Sequence, residues 1–144
     1  MTHADKNKYY QKHPGRTKVD DVLKQKILQK VTDNNLSCVL AEEIARAGQV
    51  TLEETGVALD LLNINIVACQ LGLFGYSPQK KIVQPVKDVV PGLKDEILQA
   101  LIGGHLPCAA AWEIARKLNL PRMKVSAACE ALQIKVKPCQ LGAF

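Results

Sequence analysis

One stretch of this chain occurs twice. Residues 36–74 read LSCVLAEEIARAGQVTLEETGVALDLLNINIVACQLGLF, and residues 106–144 read LPCAAAWEIARKLNLPRMKVSAACEALQIKVKPCQLGAF. They align at a constant offset of 70 without a gap, and the same offset carries Leu23, Lys24, Ile27, Leu28 and Gln29 onto Leu93, Lys94, Ile97, Leu98 and Gln99. Of the 55 pairs between 20–74 and 90–144, 20 are identical, which marks a duplicated module. A module of that size is marginal alone, because a small chain buries too little of its surface. The copies are therefore expected to pack on each other or to dimerise. Positions shared by the copies should belong chiefly to the fold, and positions that differ should belong to specialised surface.

Charge separates the copies. Residues 1–19 carry five bases and one acid, and residues 20–74 carry four bases and eight acids. Residues 75–90 have three bases and one acid, and residues 91–144 have seven and four. The net charge of +5 thus hides an acidic first copy and a basic second one. The organisation read from this is a basic flexible arm over 1–18, module 1 over 19–75, a linker over 76–90 and module 2 over 91–144. The linker holds Lys80, Lys81, Pro78 and Pro85 and reads as a semi-rigid spacer. No apolar run reaches the length needed to span a bilayer, and the first residues are polar and basic. A cytoplasmic location is the expectation.

Within a module, Val22, Leu23, Ile27 and Val31 recur at helical spacing and predict a first helix over 19–31, with 93–102 as its counterpart. Asp20 and Asp21 suit its start, and Gly103 and Gly104 stop the second version. A short extended piece at 36–38 or 106–108 leads into a second helix over 41–47 or 111–118. Its inward residues are Ala41, Ile44 and Ala45, matched by Ala111, Ile114 and Ala115. A turn containing Gly48 or Asn119 follows. Thr51 and Glu54 form a capping box for the third helix of copy one, and Pro121 opens that of copy two. Thr55, Ala58, Leu59 and Leu62 give that helix its inward face, as do Val125, Ala128, Cys129 and Leu132. Ile64-Asn65-Ile66 and Ile134-Lys135-Val136 then alternate as strands do.

Helix, short strand, helix, tight turn, helix and strand is the order of a winged helix-turn-helix module. In copy two, Ala115, Asn119, Leu120 and Val125 stand where the helix-turn-helix pattern has its packing and turn residues. In copy one Ala45 is in place, but Gly48 falls one residue early and Thr55 replaces an aliphatic. The chain thus resembles the helix-turn-helix and winged-helix superfamily over most of its length beyond residue 19. The fold class expected is mainly α, as tandem three-helix winged-helix-like modules with short β-strands. The wing has about ten residues in each copy, barely enough for a hairpin.

The resemblance implies that the third helix enters the major groove of duplex DNA. In copy two the donors would be Arg122, Lys124, Ser126 and Gln133, with Arg116 and Lys117 on phosphates. Lys8, Lys12, Arg16 and Lys18 of the arm, beside Tyr9 and Tyr10, could follow a nucleic-acid backbone or act as a solubilising tail. Copy one has Leu52 and Glu54 in place of Arg122 and Lys124. With Val57 and Leu61 these make an acidic, apolar face suited to a protein partner or a second copy. The function expected is a small DNA-binding or transcription-regulatory protein working through module 2 and the arm. The alternative is an adaptor or homodimerising module using the module 1 face.

Cys38 and Cys108, and Cys69 and Cys139, are paired by the repeat, whereas Cys129 answers Leu59 and marks a core slot. In the winged-helix architecture the strand carrying Cys38 would pair with the strand carrying Cys69. Such pairs could pack as buried thiols, oxidise or hold a metal, so a thiol or metal sensor is a third reading. There is no C-x-x-C pair, Ser-His-Asp order or phosphate-binding glycine loop. Neither enzyme activity nor a cofactor is expected.

Overall fold

The computed structural model describes residues 12–13 and 18–144 and is mainly helical. The described chain forms two compact units. Unit 1 takes the chain up to Cys69 together with Leu141–Ala143, and unit 2 takes Gln70–Gln140 with Phe144. The units therefore do not follow the repeat boundary. Each includes the Leu-Gly segment that the sequence assigns to the other copy.

Unit 1 is built from α1 (Asp21–Lys30), β1 (Asn35–Ser37), α2 (Cys38–Gly48), α3 (Leu52–Leu61) and β2 (Asn65–Val67). Side chains set all three helix starts. Asp20 accepts from Leu23 N at 3.0 Å, Ser37 from Leu40 N at 3.2 Å, and Thr51 from Glu54 N at 3.0 Å. Each such cap is worth about 1 kcal/mol. Helix α2 begins three residues before the expected start, because Ser37 supplies a cap that the apolar spacing does not register. Its inward stripe is the expected one, with Ala41, Ile44 and Ala45 buried beside Cys38. The core adds Leu23, Ile27, Leu36, Ala58, Leu59 and Ile64.

The α2–α3 turn has the same register in both copies. Gln49 takes the left-handed backbone at φ 54°, as Asn119 does at φ 55°, while Gly48 stays in the helix. A left-handed non-glycine residue costs roughly 1 to 2 kcal/mol. Gln49→Gly is expected to stabilise the chain by about 1 kcal/mol in urea unfolding, and a loss of stability would contradict this turn.

The sheet differs from the expected wing. Strand β2 runs parallel to β1, with Asn35 opposite Asn65, Leu36 opposite Ile66 and Ser37 opposite Val67. Parallel pairing requires a long crossover, and α2 with α3 provides it. No wing hairpin forms after α3 or its counterpart among the described residues.

Unit 2 repeats the plan with α4 (Pro91–Ala100), α5 (Cys108–Leu118) and α6 (Arg122–Ala131). Proline opens or precedes each helix, and none has a side-chain cap bond. The parallel pairing shrinks to one bridge, Leu106 with Val136. Pro107 stands where copy one has Ser37, and Pro138 follows close behind the bridge; neither has an N–H to extend a ladder.

The third helices are buried on two sides. In α3, Thr55, Ala58 and Leu59 face the core as expected, but Gly56 and Asp60 are buried as well. A Cβ on Gly56 would lie 2.1 Å from the Leu141 carbonyl oxygen, so only glycine lets that backbone approach. Asp60 is 3% exposed and pairs with Lys12 at 3.1 Å and His13 at 2.8 Å. In α6 every residue from Val125 to Cys129 is buried. Ser126 answers Gly56, and its hydroxyl donates to the Leu71 carbonyl at 2.6 Å. Val86 N donates to Ala127 O at 3.3 Å, Val83 is 4% exposed, and Lys81 pairs with Glu130. The stretch read as a semi-rigid spacer thus touches unit 2 at Lys81, Val83 and Val86, while most of its other residues are exposed.

Candidate nucleic-acid interface

Helix α5 is amphipathic. Cys108, Ala111, Ile114 and Ala115 are buried, leaving Trp112, Glu113, Arg116 and Lys117 on or near the outer side. After the Asn119 turn, α6 opens with Pro121, Arg122, Met123 and Lys124, of which Lys124 is exposed and Arg122 half-buried. A shallow cavity of about 530 Å³ lies at this corner, lined by Trp112, Glu113, Arg116, Asn119, Leu120 and Arg122, among others.

Arg122 organises the corner. Its guanidinium carbon lies 3.7 Å from the centroid of the Trp112 ring, and one nitrogen donates to Gln70 Oε1 at 2.7 Å. A cation on an indole face is held by the ring quadrupole, and the amide oxygen fixes its rotation. Arg122 is therefore a preset planar cation at the positive end of a helix dipole. Arg116 makes a two-pronged contact to Glu113, one arm of it Nε to Oε2 at 3.1 Å. The hydrogen bond from Arg116 holds the Glu113 carboxyl below its ordinary value, against a lesser opposing effect of desolvation, and Glu113 in turn raises Arg116. Lys117 Nζ donates to Glu96 Oε1 at 2.7 Å. Both pairs are exposed, so a phosphate can exchange with either carboxylate at little cost.

The other residues singled out in the sequence fall elsewhere. Ser126 is fully buried and its hydroxyl is committed to Leu71, so it does not lie on an outward line with Arg122 and Lys124. Gln133 is exposed but sits in the left-handed turn beyond α6, at φ 56°. Lys12 binds Asp60 and donates to Gly142 O at 2.8 Å, and Lys18 is exposed. Lys8 and Arg16 lie outside the described residues. Of the proposed partner face, Glu54 is exposed, while Leu52, Val57 and Leu61 are half-buried. In α2 Arg46 pairs with Glu42 at 3.2 Å, four residues before it, whereas Arg116 of α5 pairs with Glu113. Glu42 occupies the position of Trp112, the residue that sequence reading missed. Its signal was available: it is the single tryptophan of the chain, placed one turn before Arg116.

All five cysteines are thiols; Cys38, Cys69, Cys108 and Cys129 are buried and Cys139 is half-buried. Among the described residues no three His, Cys, Asp or Glu side chains gather as a metal site. Gln140 Nε2 lies 3.5 Å from Cys108 Sγ. Burial, with a smaller contribution from Glu130, pushes the Cys129 thiol up to about 11. Its raised value means that the neutral form is favoured in the folded chain. That stabilisation is complete below the ordinary thiol value and is lost as pH rises toward 11. With a thiol-specific disulfide reagent at pH 8, Cys139 is expected to react first and Cys129 last. Early modification of Cys129 in folded protein would contradict its place in the core.

No family model, no curated protein and no solved structure matches the chain. Among the described residues no helix is long and apolar enough to cross a membrane.

Proposed function

We propose that unit 2 contacts duplex DNA through the α5–α6 corner and that the chain acts as a small DNA-binding regulatory protein. The observation that carries this reading is Arg122, preset on Trp112 and tethered to Gln70 at the first turn of α6. Around it lie Arg116, Lys117 and Lys124, and copy one has Arg46, Ala47 and Glu54 at the last three of those positions. Phosphate binding by a helix start and neighbouring cations needs no base contact. The residues from Val125 to Cys129 are buried, so only the first turn of α6 is available to a groove.

The test is fluorescence anisotropy with a labelled duplex at low salt. Arg122→Ala and Lys124→Ala should each weaken binding about tenfold, roughly the 1.4 kcal/mol expected of a charged contact. Ser126→Ala should leave the contact set unchanged. Equal affinity for wild type and both cation variants would overturn the reading.

A second reading makes unit 1 a protein-docking module. What supports it is exposed apolar surface at Val22, Leu28 and Val39, 61%, 53% and 46% exposed, which unit 2 matches with Val90, Leu98 and Ile102 at 65%, 46% and 70%; Leu52, Val57 and Leu61 are half-buried. Leu28→Glu should abolish capture of such a partner and leave the fold intact. Persistent capture would remove this surface from consideration.

A further inference from the structure

The equivalence of the two copies reaches upstream of their first helices. At the offset of 70, Lys12 and His13 answer Ile82 and Val83, Asp60 answers Glu130, and Gly142 answers Gly72. In unit 2, Ile82 N and Val83 N both donate to the Gly72 carbonyl, at 2.9 and 3.1 Å. Val83 is buried there, and Lys81 pairs with Glu130. In unit 1, Lys12 Nζ donates to the Gly142 carbonyl at 2.8 Å. The same ammonium lies 3.1 Å from Asp60 Oδ2, and His13 Nε2 donates to that oxygen at 2.8 Å. Each unit thus closes one three-way junction, between the chain ahead of its first helix, its third helix and a Leu-Gly segment. Unit 2 closes it with backbone bonds and a buried valine, and unit 1 with charged side chains.

We propose that Lys12 and His13 form a charge-operated strap, which keeps Leu141–Ala143 on α3 and releases that segment when the two cations leave Asp60. The Asp60 side chain is 4% exposed, while those of Lys12 and His13 reach solvent at 31% and 21%. A buried carboxylate stays ionised only while cations or donors compensate it. With both ion-pair partners withdrawn, water is the remaining source of compensation. The way in lies past the segment beside it, because Lys12 Nζ bridges Asp60 and the Gly142 carbonyl. Leaving Asp60 therefore also means leaving Gly142. Leu141, the residue before, packs on Gly56, one turn ahead of Asp60 on the same helix. Loss of the strap thus opens the contact of Leu141–Ala143 with α3. The junction in unit 2 rests on backbone bonds, and the Glu130 side chain is 25% exposed, so it stays closed when charge is lost.

Amide exchange of the full-length chain, followed residue by residue by NMR, tests the strap. Lys12→Gln/His13→Gln removes the cations and leaves the buried carboxylate. Exchange at Leu141–Ala143 should quicken about a hundredfold. Asp60→Asn removes the carboxylate instead, and the same amides should quicken only about tenfold. The triple variant should match Asp60→Asn, because no buried charge remains. The amides of Ile82 and Val83 in unit 2 should change by less than about twofold throughout. Cation removal no more damaging than Asp60→Asn overturns the proposal. So does a triple variant whose effects multiply, or an equal change at Ile82 and Val83. A double variant that does not fold supports the strap if the triple variant folds, and overturns it if the triple variant also fails.

Discussion

Replacing Gly56 with valine is expected to destabilise the chain by about 3 kcal/mol. The Cβ would meet the Leu141 carbonyl oxygen at 2.1 Å, its carbonyl carbon at 2.6 Å and its Cα at 2.9 Å. All three are backbone atoms, so no side-chain rotation relieves the clash. Either α3 shifts within a packed core, which costs roughly 1 to 3 kcal/mol, or Leu141 leaves its site and loses roughly 1.5 to 3 kcal/mol of burial. At the repeat-related position Ser126→Ala removes only a hydroxyl, and the loss is expected near 1 kcal/mol. Urea unfolding, with amide exchange of α3 to locate the effect, measures both. Equal losses at the two positions would mean that Gly56 is not closed over by Leu141.

Leu59→Ala is expected to cost roughly 2 to 5 kcal/mol. Leu59 is 0% exposed and sits on the core face of α3 with Ala58 and Thr55. Those neighbours are too small or too rigid to refill the space, so the cavity term adds to the lost transfer energy. The converse change, Cys129→Leu, forces extra volume into a slot 1% exposed and should cost about 1 to 3 kcal/mol. A Leu59→Ala chain with wild-type unfolding midpoint would place Leu59 outside the core.

These two positions show where the sequence was legible. Leu59 and Cys129 fall on the apolar period of the third helix, and that period also gives Ala41, Ile44, Ala45 and their partners correctly. Caps such as Asp20 and Thr51 follow from residue chemistry alone. Gly56, Asp60 and Ser126 lie on a second buried face that carries no apolar signature, because it receives backbone, a lysine and a histidine. A hydrophobic period cannot register such a face. The destination of each Leu-Gly segment was hidden for another reason: Gln-Leu-Gly and the phenylalanine that follows are shared by the copies, so local pattern does not choose between α3 and α6. The parallel pairing of β1 and β2 was hidden because three residues of alternation carry no direction. Arg122 and Lys124 were legible as cations, but the shelf under Arg122 needed Trp112 and Gln70, which are 10 and 52 residues away in sequence.

Salt titration of duplex binding most directly tests the proposed contact of the α5–α6 corner with phosphates. If Arg116, Lys117, Arg122 and Lys124 each neutralise one phosphate, log affinity should fall linearly against log salt with a slope of about −3 to −4. Lys124→Ala should reduce that slope by about one and weaken binding evenly across duplex sequences. An undetectable complex at low salt, or a slope that Lys124→Ala leaves unchanged, would contradict the assignment of DNA contact to unit 2.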